Sequence, residues 1–219
     1  MVLRMIVMTA LFLAPFQQKK AVEIEDMPTS RIDDTYTVYN AALRHAIWDH
    51  TDTSHYFVAD HTAQTYGVDD PEKCIKAPEA YKQQMDEAAA DFVSQKKKSY
   101  RLAYLFDVPG KEVRLVNSDE EKQIVDHLFR GKPIDDPKLT EAGDIVRLSP
   151  VGFSHDGKLA IMVVSNYCGG LCGGEKWRVF ARAETTWKEQ QWGSCFIISR
   201  AGAITPHGDA LALTDSSSR

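Results

Sequence analysis

Cysteine is scarce in this sequence, with four among 219 residues, and none precedes Cys74. A lipid-modified cysteine near the N-terminus is therefore not expected. Basic residues are not in excess either, since 26 Lys and Arg stand against 31 Asp and Glu, for a formal net charge of −5. Because nucleic acids and anionic membrane surfaces attract basic proteins, we expect neither as a partner.

Long hydrophobic runs are missing as well. The apolar segment near the N-terminus covers residues 5–16, follows Arg4, and is too short to span a bilayer comfortably. A positive charge followed by an apolar run of this length is typical of a secretory signal. We expect an exported protein, periplasmic or secreted, and the segment is either cleaved or kept as an N-terminal membrane anchor. A buried segment of a cytosolic protein is the third interpretation.

The chain shows no internal repeat and no second block of distinct composition. We expect a signal or anchor segment with a linker over residues 1–32, one α+β domain over residues 33–200, and a flexible polar tail over residues 201–219.

Hydrophobic periodicity changes along the domain. Apolar residues at helical spacing predict helices over about 34–48, from Pro78 onward, and after a capping box at Ser118 and Glu121. Strands are predicted at 55–62 and 112–117, and from residue 144 the period becomes two. A bulge or bend is predicted at Ser149 and Pro150, because proline cannot donate to a ladder, and the last strand is predicted over residues 187–199. Residues 159–164 are continuously apolar, as in a strand covered on both faces. The fold prediction is early helices packed on a curved C-terminal antiparallel β-meander.

Residues 166–174 form the most unusual stretch, with Cys168, Cys172 and four glycines between two predicted strands. A hairpin tip of this kind brings two cysteines within disulfide reach, so we predict a structural disulfide there. Redox catalysis usually uses C-x-x-C at a helix N-terminus, and zinc sites usually use two close ligand pairs, so both are minor alternatives. Cys74 and Cys195 are a weaker candidate pair.

Two apparent motifs fail on chemical grounds. The glycines of the tip have phosphate-loop spacing, but Glu175 stands where that loop needs lysine, and a strand follows where it needs a helix. Ser154, His155 and Asp156 are consecutive residues of a turn and cannot face one another as a catalytic triad. We therefore predict no catalytic residues, no metal and no cofactor.

Aromatic residues flank the tip. If exposed, Tyr167, Leu171 and Trp177 would form a contact surface beside the glycines. Our first hypothesis is an exported, non-catalytic binding or structural module that uses this disulfide-shaped tip. The alternative is a small-molecule enzyme with a pocket between sheet and helices, where Asp60 and His61 are the candidate acid-base pair.

A sequence resemblance covers the C-terminal third and part of the first helix. It rests on Tyr36–Tyr39, Leu148–Phe153, the apolar run Leu159–Val164, the tip Tyr167–Gly173 with its Tyr-Cys-Gly-Gly-Leu-Cys-Gly order, and Trp187. In these features the chain resembles a group of uncharacterised exported bacterial proteins. The resemblance implies export and a C-terminal hairpin, and it implies no activity and no catalytic residues.

Overall fold

The computed structural model describes residues 23–44, 55–63, 70–169, 172–192 and 196–198. Its helices are α1 (Thr29–Arg44), α2 (Pro71–Cys74), α3 (Lys82–Gln95) and α4 (Ser118–Arg130). Its strands are β1 (Ile24–Asp26), β2 (His55–Ala59), β3 (Ser99–Arg101), β4 (Glu112–Val116), β5 (Ile145–Leu148), β6 (Gly152–Phe153), β7 (Leu159–Tyr167), β8 (Gly173–Ala183), β9 (Thr186–Gln190) and β10 (Phe196–Ile198). None of the helices described is both long and apolar enough to cross a bilayer.

One mixed sheet forms the centre of the fold. Its strand order is β10-β8-β7-β5-β2-β4, with β6 beside β7 and β9 beside β8. The predicted α+β class is confirmed, and β7, β8 and β9 form an antiparallel meander. The sheet is not wholly antiparallel, because β2 runs parallel to β4 and to β5. Parallel strands need a long crossover, which is usually helical. The chain from β2 to β4 contains α3, and the chain from β2 to β5 contains both α3 and α4.

Helices cover both faces of the sheet. Alternate residues of β7 pack in two clusters: Ala160, Met162 and Val164 on the side of α1, and Leu159, Ile161 and Val163 on the side of α3. Helix α4 lies on the same side as α3, where its Ile124 packs with residues of β2, β4 and β5. The continuous apolar run in β7 is thus explained, since both faces of this strand are buried.

Several boundaries differ from those predicted. Helix α1 begins at Thr29 rather than residue 34, and β1 lies within the residues predicted as linker, where it pairs in parallel with β3. Helix α4 is capped by Asn117, whose side chain accepts hydrogen bonds from the backbone of Asp119 and Glu120. The Glu120 carboxylate accepts from the Asn117 amide in return, so the capping box is one residue earlier than predicted.

The predicted break at Ser149 and Pro150 separates β5 from β6. The Ser149 hydroxyl accepts a hydrogen bond from the Val163 amide at 2.8 Å, which replaces a ladder partner at the break. The predicted last strand over residues 187–199 is divided into β9 and β10, and both pair with β8. The predicted tail at residues 201–219 lies outside the described residues.

A buried arginine fastens α1 to the sheet. Arg178 of β8 donates a 2.8 Å hydrogen bond to the carbonyl oxygen of Ala42 in the last turn of α1, and its guanidinium lies 3.4 Å from Glu189. Burial lowers the pKa of Arg178, and the carboxylate of Glu189 opposes that shift. A cation at the C-terminal end of a helix also interacts favourably with the helix dipole.

Helix α3 touches the backbone of β6 without an intervening side chain. A Cβ atom added to Gly152 would lie 2.3 Å from the carbonyl oxygen of Ala88 and 2.6 Å from Cβ of Phe92. Only glycine permits this approach. The close contact brings α3 beside the turn after β6, and this turn forms part of the groove described below.

Candidate functional site

The predicted cysteine pair closes the tip of the β7–β8 hairpin. The Cα atoms of Cys168 and Cys172 are 5.1 Å apart, at disulfide-bonding distance. The amide of Cys172 donates to the carbonyl oxygen of Gly169 at 2.8 Å, and the amide of Cys168 donates to the carbonyl oxygen of Cys172 at 3.3 Å. Backbone and side chains therefore close the same short turn.

The tip lies against the C-terminal end of α4. Gly169 has φ +89°, a left-handed conformation that favours glycine, and an added Cβ would lie 2.5 Å from the carbonyl oxygen of Leu128. Tyr167, one residue before the cysteine, is buried in the cluster beneath the same helix. The tip thus anchors the long hairpin to α4 and shapes the fold.

An exposed contact surface at Tyr167 and Trp177 is not present. Tyr167 is 7% exposed and Trp177 is 1% exposed, because the first lies under α4 and the second packs edge-on against Phe92 of α3. The two aromatics are not cross-strand partners either, since Tyr167 pairs with Gly173 and Trp177 with Val163. Leu171, the third residue of that prediction, lies outside the described residues.

The weaker candidate pair is Cys74 and Cys195. Cys74 is disulfide-bonded, and Cys195 lies outside the described residues. Cys74 packs against the cluster under α3, together with Trp192. The amide of Lys76 donates to the carbonyl oxygen of Trp192 at 2.7 Å, so the segment after α2 lies beside the end of the meander.

Asp60 and His61 follow the C-terminal end of β2, between the parallel strands β4 and β5. Their side chains are hydrogen-bonded, with 2.7 Å between the Asp60 carboxylate and Nδ1 of His61. Both are partly accessible, and a carboxylate in this position orients an imidazole for proton transfer. They line neither half of the groove described next.

Ser154, His155 and Asp156 have the predicted turn geometry. The Ser154 hydroxyl donates to the Asp156 carboxylate at 2.7 Å and accepts from the Leu159 amide at 2.9 Å. Ser154 is buried, whereas the His155 side chain is 85% exposed. The hydroxyl therefore serves the turn and is not directed at an imidazole.

A groove lies where α1 and α3, from opposite faces of the sheet, meet the turn after β6. We call it the turn groove, and its volume is about 420 Å³. It is lined by Ser30, Arg31 and Asp34 of α1, Glu87, Ala90 and Asp91 of α3, and Phe153, Ser154, His155 and Gly157.

An ion pair between the two helices lies among the residues that line the turn groove. The guanidinium of Arg31 donates to both carboxylate oxygens of Asp91, at 3.1 and 2.7 Å, and to the carbonyl oxygen of Val151 at 2.8 Å. Asp91 also accepts from the Phe153 amide at 2.8 Å. Burial alone would raise the pKa of Asp91, but the hydrogen bonds from Arg31 and Phe153 outweigh it and lower that pKa.

A second depression continues the turn groove along α3. It has a volume of about 480 Å³, shares Glu87 and His155 with the first, and adds Asp156. Glu87 accepts from Gln83 at 2.9 Å and from the His155 amide at 3.0 Å, and these hydrogen bonds lower the pKa of Glu87. A hydrogen bond from Ser154 is the main cause that lowers the pKa of Asp156. Both carboxylates are therefore ionised at neutral pH.

The walls carry more negative than positive charge. Across both depressions the ionic residues are Arg31 and four carboxylates, Asp34, Glu87, Asp91 and Asp156. In the described part of the chain, no three or more His, Cys, Asp and Glu side chains are arranged to hold a metal ion.

No family model, curated protein or solved structure matches this chain. The resemblance of the tip to exported bacterial proteins therefore stays a prediction.

Ser154, His155 and Asp156 stand out in the sequence, but the helix residues of the turn groove do not. Arg31 lies in the predicted linker, and Glu87 and Asp91 lie beside the apolar stripe of α3, where charged residues are ordinary. Their spacing of four residues places them on one side of that helix, which is the only signal that the sequence contains. Arg31 and Asp91 are 60 positions apart, so no local pattern joins them.

Proposed function

We propose that the protein is an exported, non-catalytic binding module and that the turn groove is its contact surface. The observation that carries the proposal is the convergence of α1, α3 and the turn after β6 on one open depression with charged walls. Concave sites with a few fixed polar groups are the usual form of a binding site.

The walls are held in place before any ligand arrives. The two oxygens of Asp91 and the guanidinium of Arg31 already bond each other, and Asp91 also holds the backbone of β6 through Phe153. A preorganised surface loses less conformational entropy on binding, which favours affinity. The hydroxyl of Ser154, the residue before His155, is buried in its own turn, which supports binding over nucleophilic chemistry.

Export is supported by two features. The apolar segment at residues 5–16 is typical of a secretory signal, and cysteines at disulfide distance suit an oxidising compartment. The intact mass of protein isolated from its producing cells, before and after reduction, tests this part. Unprocessed, fully reduced chains in the cytosolic fraction would contradict it.

The binding proposal is tested by titrating ¹⁵N-labelled protein with capped pentapeptides, one cationic, one anionic and one apolar. We expect at least one to cause saturable shifts that are centred on the amides of Glu87, Asp91, Phe153 and His155. If none of the three peptides shifts these amides, the turn groove is not a contact surface for extended chains.

The second candidate function is catalysis at Asp60 and His61. It is favoured by the 2.7 Å bond between them at the carboxyl end of β2, since ligands of open α/β sheets commonly bind beyond the carboxyl ends of parallel strands. In the same titrations, shifts centred on Asp60 and His61 instead of the turn groove would favour this candidate.

A further inference from the structure

The charge of the turn groove selects among ligands. An anionic ligand would meet the carboxylates of Asp34, Glu87 and Asp156. The cations in and beside the walls are already paired with carboxylates: Arg31 with Asp91 through two hydrogen bonds, Arg182 with Asp34 at 3.1 Å, and Lys158 with Asp156 at 4.0 Å. Like charges at this distance repel, so the walls disfavour carboxylate and phosphate ligands.

Two carboxylates on different helices remain accessible to a ligand. Asp34 of α1 contacts Arg182 through one oxygen at 3.1 Å, and its side chain is 42% exposed. Glu87 of α3 accepts from Gln83 and from the His155 amide, lies 3.5 Å from Nδ1 of His155, and has a side chain that is 18% exposed. A carboxylate has about four acceptor positions. Each can therefore accept a further hydrogen bond from a cation.

The surface between these carboxylates includes apolar groups. Ala90 of α3 and the half-buried ring of Phe153 line the same depression. The ring of Phe153 contacts the guanidinium of Arg31, 5.3 Å from the ring centroid, and the ring of Trp187, whose centroid is 5.9 Å away, and these contacts limit its orientation. A ligand seated there needs an apolar part to contact Ala90 and Phe153 and a positive charge to contact Asp34 or Glu87.

We propose that the turn groove binds a lysine-bearing extended peptide segment of a partner protein, with the lysine methylenes over Phe153 and the ammonium group at Glu87 or Asp34. The inference rests on the proposed binding function. Lysine combines an apolar stem with a charged end, and this matches a depression lined by both apolar groups and carboxylates.

The experiment compares four probes by NMR titration and calorimetry of the folded protein at 50 mM salt. They are acetyl-Gly-Lys-Gly-Lys-Gly-amide, the same peptide with glutamate, the same peptide with norleucine, and free spermidine. We expect the lysine peptide to bind most tightly, with shifts centred on Phe153 and Glu87, and to weaken at 300 mM salt, where exposed charges are screened.

A matched pair of variants separates a local contact from general attraction. Glu87→Gln removes one negative charge inside the turn groove and should weaken binding of the lysine peptide about fivefold, the upper end for an exposed ion pair. Asp86→Asn removes one negative charge at the neighbouring position of α3, where the carboxylate faces Lys82 outside the groove, and should leave binding unchanged. Equal weakening by both variants would overturn the inference.

The other outcomes are distinct. Tighter binding of the norleucine or glutamate peptide in the turn groove would overturn the cationic preference and leave the binding module intact. If spermidine binds in the turn groove and the lysine peptide does not, the proposal of a peptide ligand is wrong and the result points to a free polyamine. If no probe shifts groove residues, both the inference and the proposed function fail.

Discussion

A methyl group at Gly152 tests the close contact that places α3 beside the turn groove. In Gly152→Ala the new Cβ would approach the carbonyl oxygen of Ala88 to 2.3 Å and the backbone nitrogen of Phe92 to 2.6 Å. Ordinary contacts are near 3.5–4.0 Å, so helix and strand must separate by about 1 Å. The obstructing atoms are mostly helix backbone, which does not move aside as a side chain would.

We expect Gly152→Ala to lower the free energy of unfolding by about 3 kcal/mol, the upper end for overpacking. For a chain of this length that corresponds to a decrease in Tm of roughly 6–12 °C. Urea unfolding followed by circular dichroism and tryptophan fluorescence measures it, and the slope should stay unchanged because the surface exposed on unfolding is the same. Trp177, whose ring centroid lies 4.7 Å from that of Phe92, is an internal reporter of a displaced α3.

Gly143→Ala is the matched control. A Cβ atom added to Gly143 would have no other atom within 4 Å, and Gly143 has no left-handed φ, so the same change of residue should alter the unfolding free energy by less than about 0.5 kcal/mol. The reasoning is refuted if Gly152→Ala unfolds within that margin of Gly143→Ala, since α3 would then have room to accept the methyl group.

Three further predictions concern the hairpin tip and the ion pair. Gly169→Ala should lower the free energy of unfolding in urea by about 3 kcal/mol, because it combines left-handed strain with a clash at α4. Gly157→Ala has the strain alone and should lower it by about 1 kcal/mol. Equal decreases would contradict the contact between the tip and α4. Replacing Cys168 and Cys172 by alanine should lower the free energy of unfolding by about 2 kcal/mol, the loop-closure value for so short a loop, and leave the far-UV circular dichroism spectrum unchanged. Unfolding of the whole domain would contradict a local role for this cysteine pair. Asp91→Asn should lower the free energy of unfolding by roughly 2 kcal/mol at pH 7. Because the pKa of Asp91 is lowered in the fold, the difference in stability between wild type and variant should shrink as the pH falls below about 4. A difference independent of pH would exclude the ion pair as its source.

The sequence was most informative where local chemistry acts alone. The apolar run of β7, the break at Ser149 and Pro150 and the turn at residues 154–157 were predicted, and the structure has each of them. The capping box of α4 was displaced by one residue, since both Asn117 and Ser118 are good caps and only the path of the chain after β4 selects between them.

The prediction of exposed aromatic residues failed because exposure depends on which helix covers a strand. Tyr167 and Trp177 flank the glycine tip in the sequence, and nothing local indicates that α4 and α3 bury them. Helical periodicity likewise identifies an apolar stripe on α3, but it does not say that Asp91, beside that stripe, meets Arg31 of α1.

By composition and spacing alone, the chain specifies an α+β domain, a hairpin and a short turn that brings two cysteines together, because hydrogen bonds and side-chain alternation between near neighbours suffice for these. Two features arise instead from contacts between residues far apart in the sequence: the packing of the tip against Leu128, and the turn groove. The hydrogen bond from Arg31 to the carbonyl oxygen of Val151, 120 positions away, is an example. Such contacts depend on how the layers pack around the sheet, which periodicity does not encode.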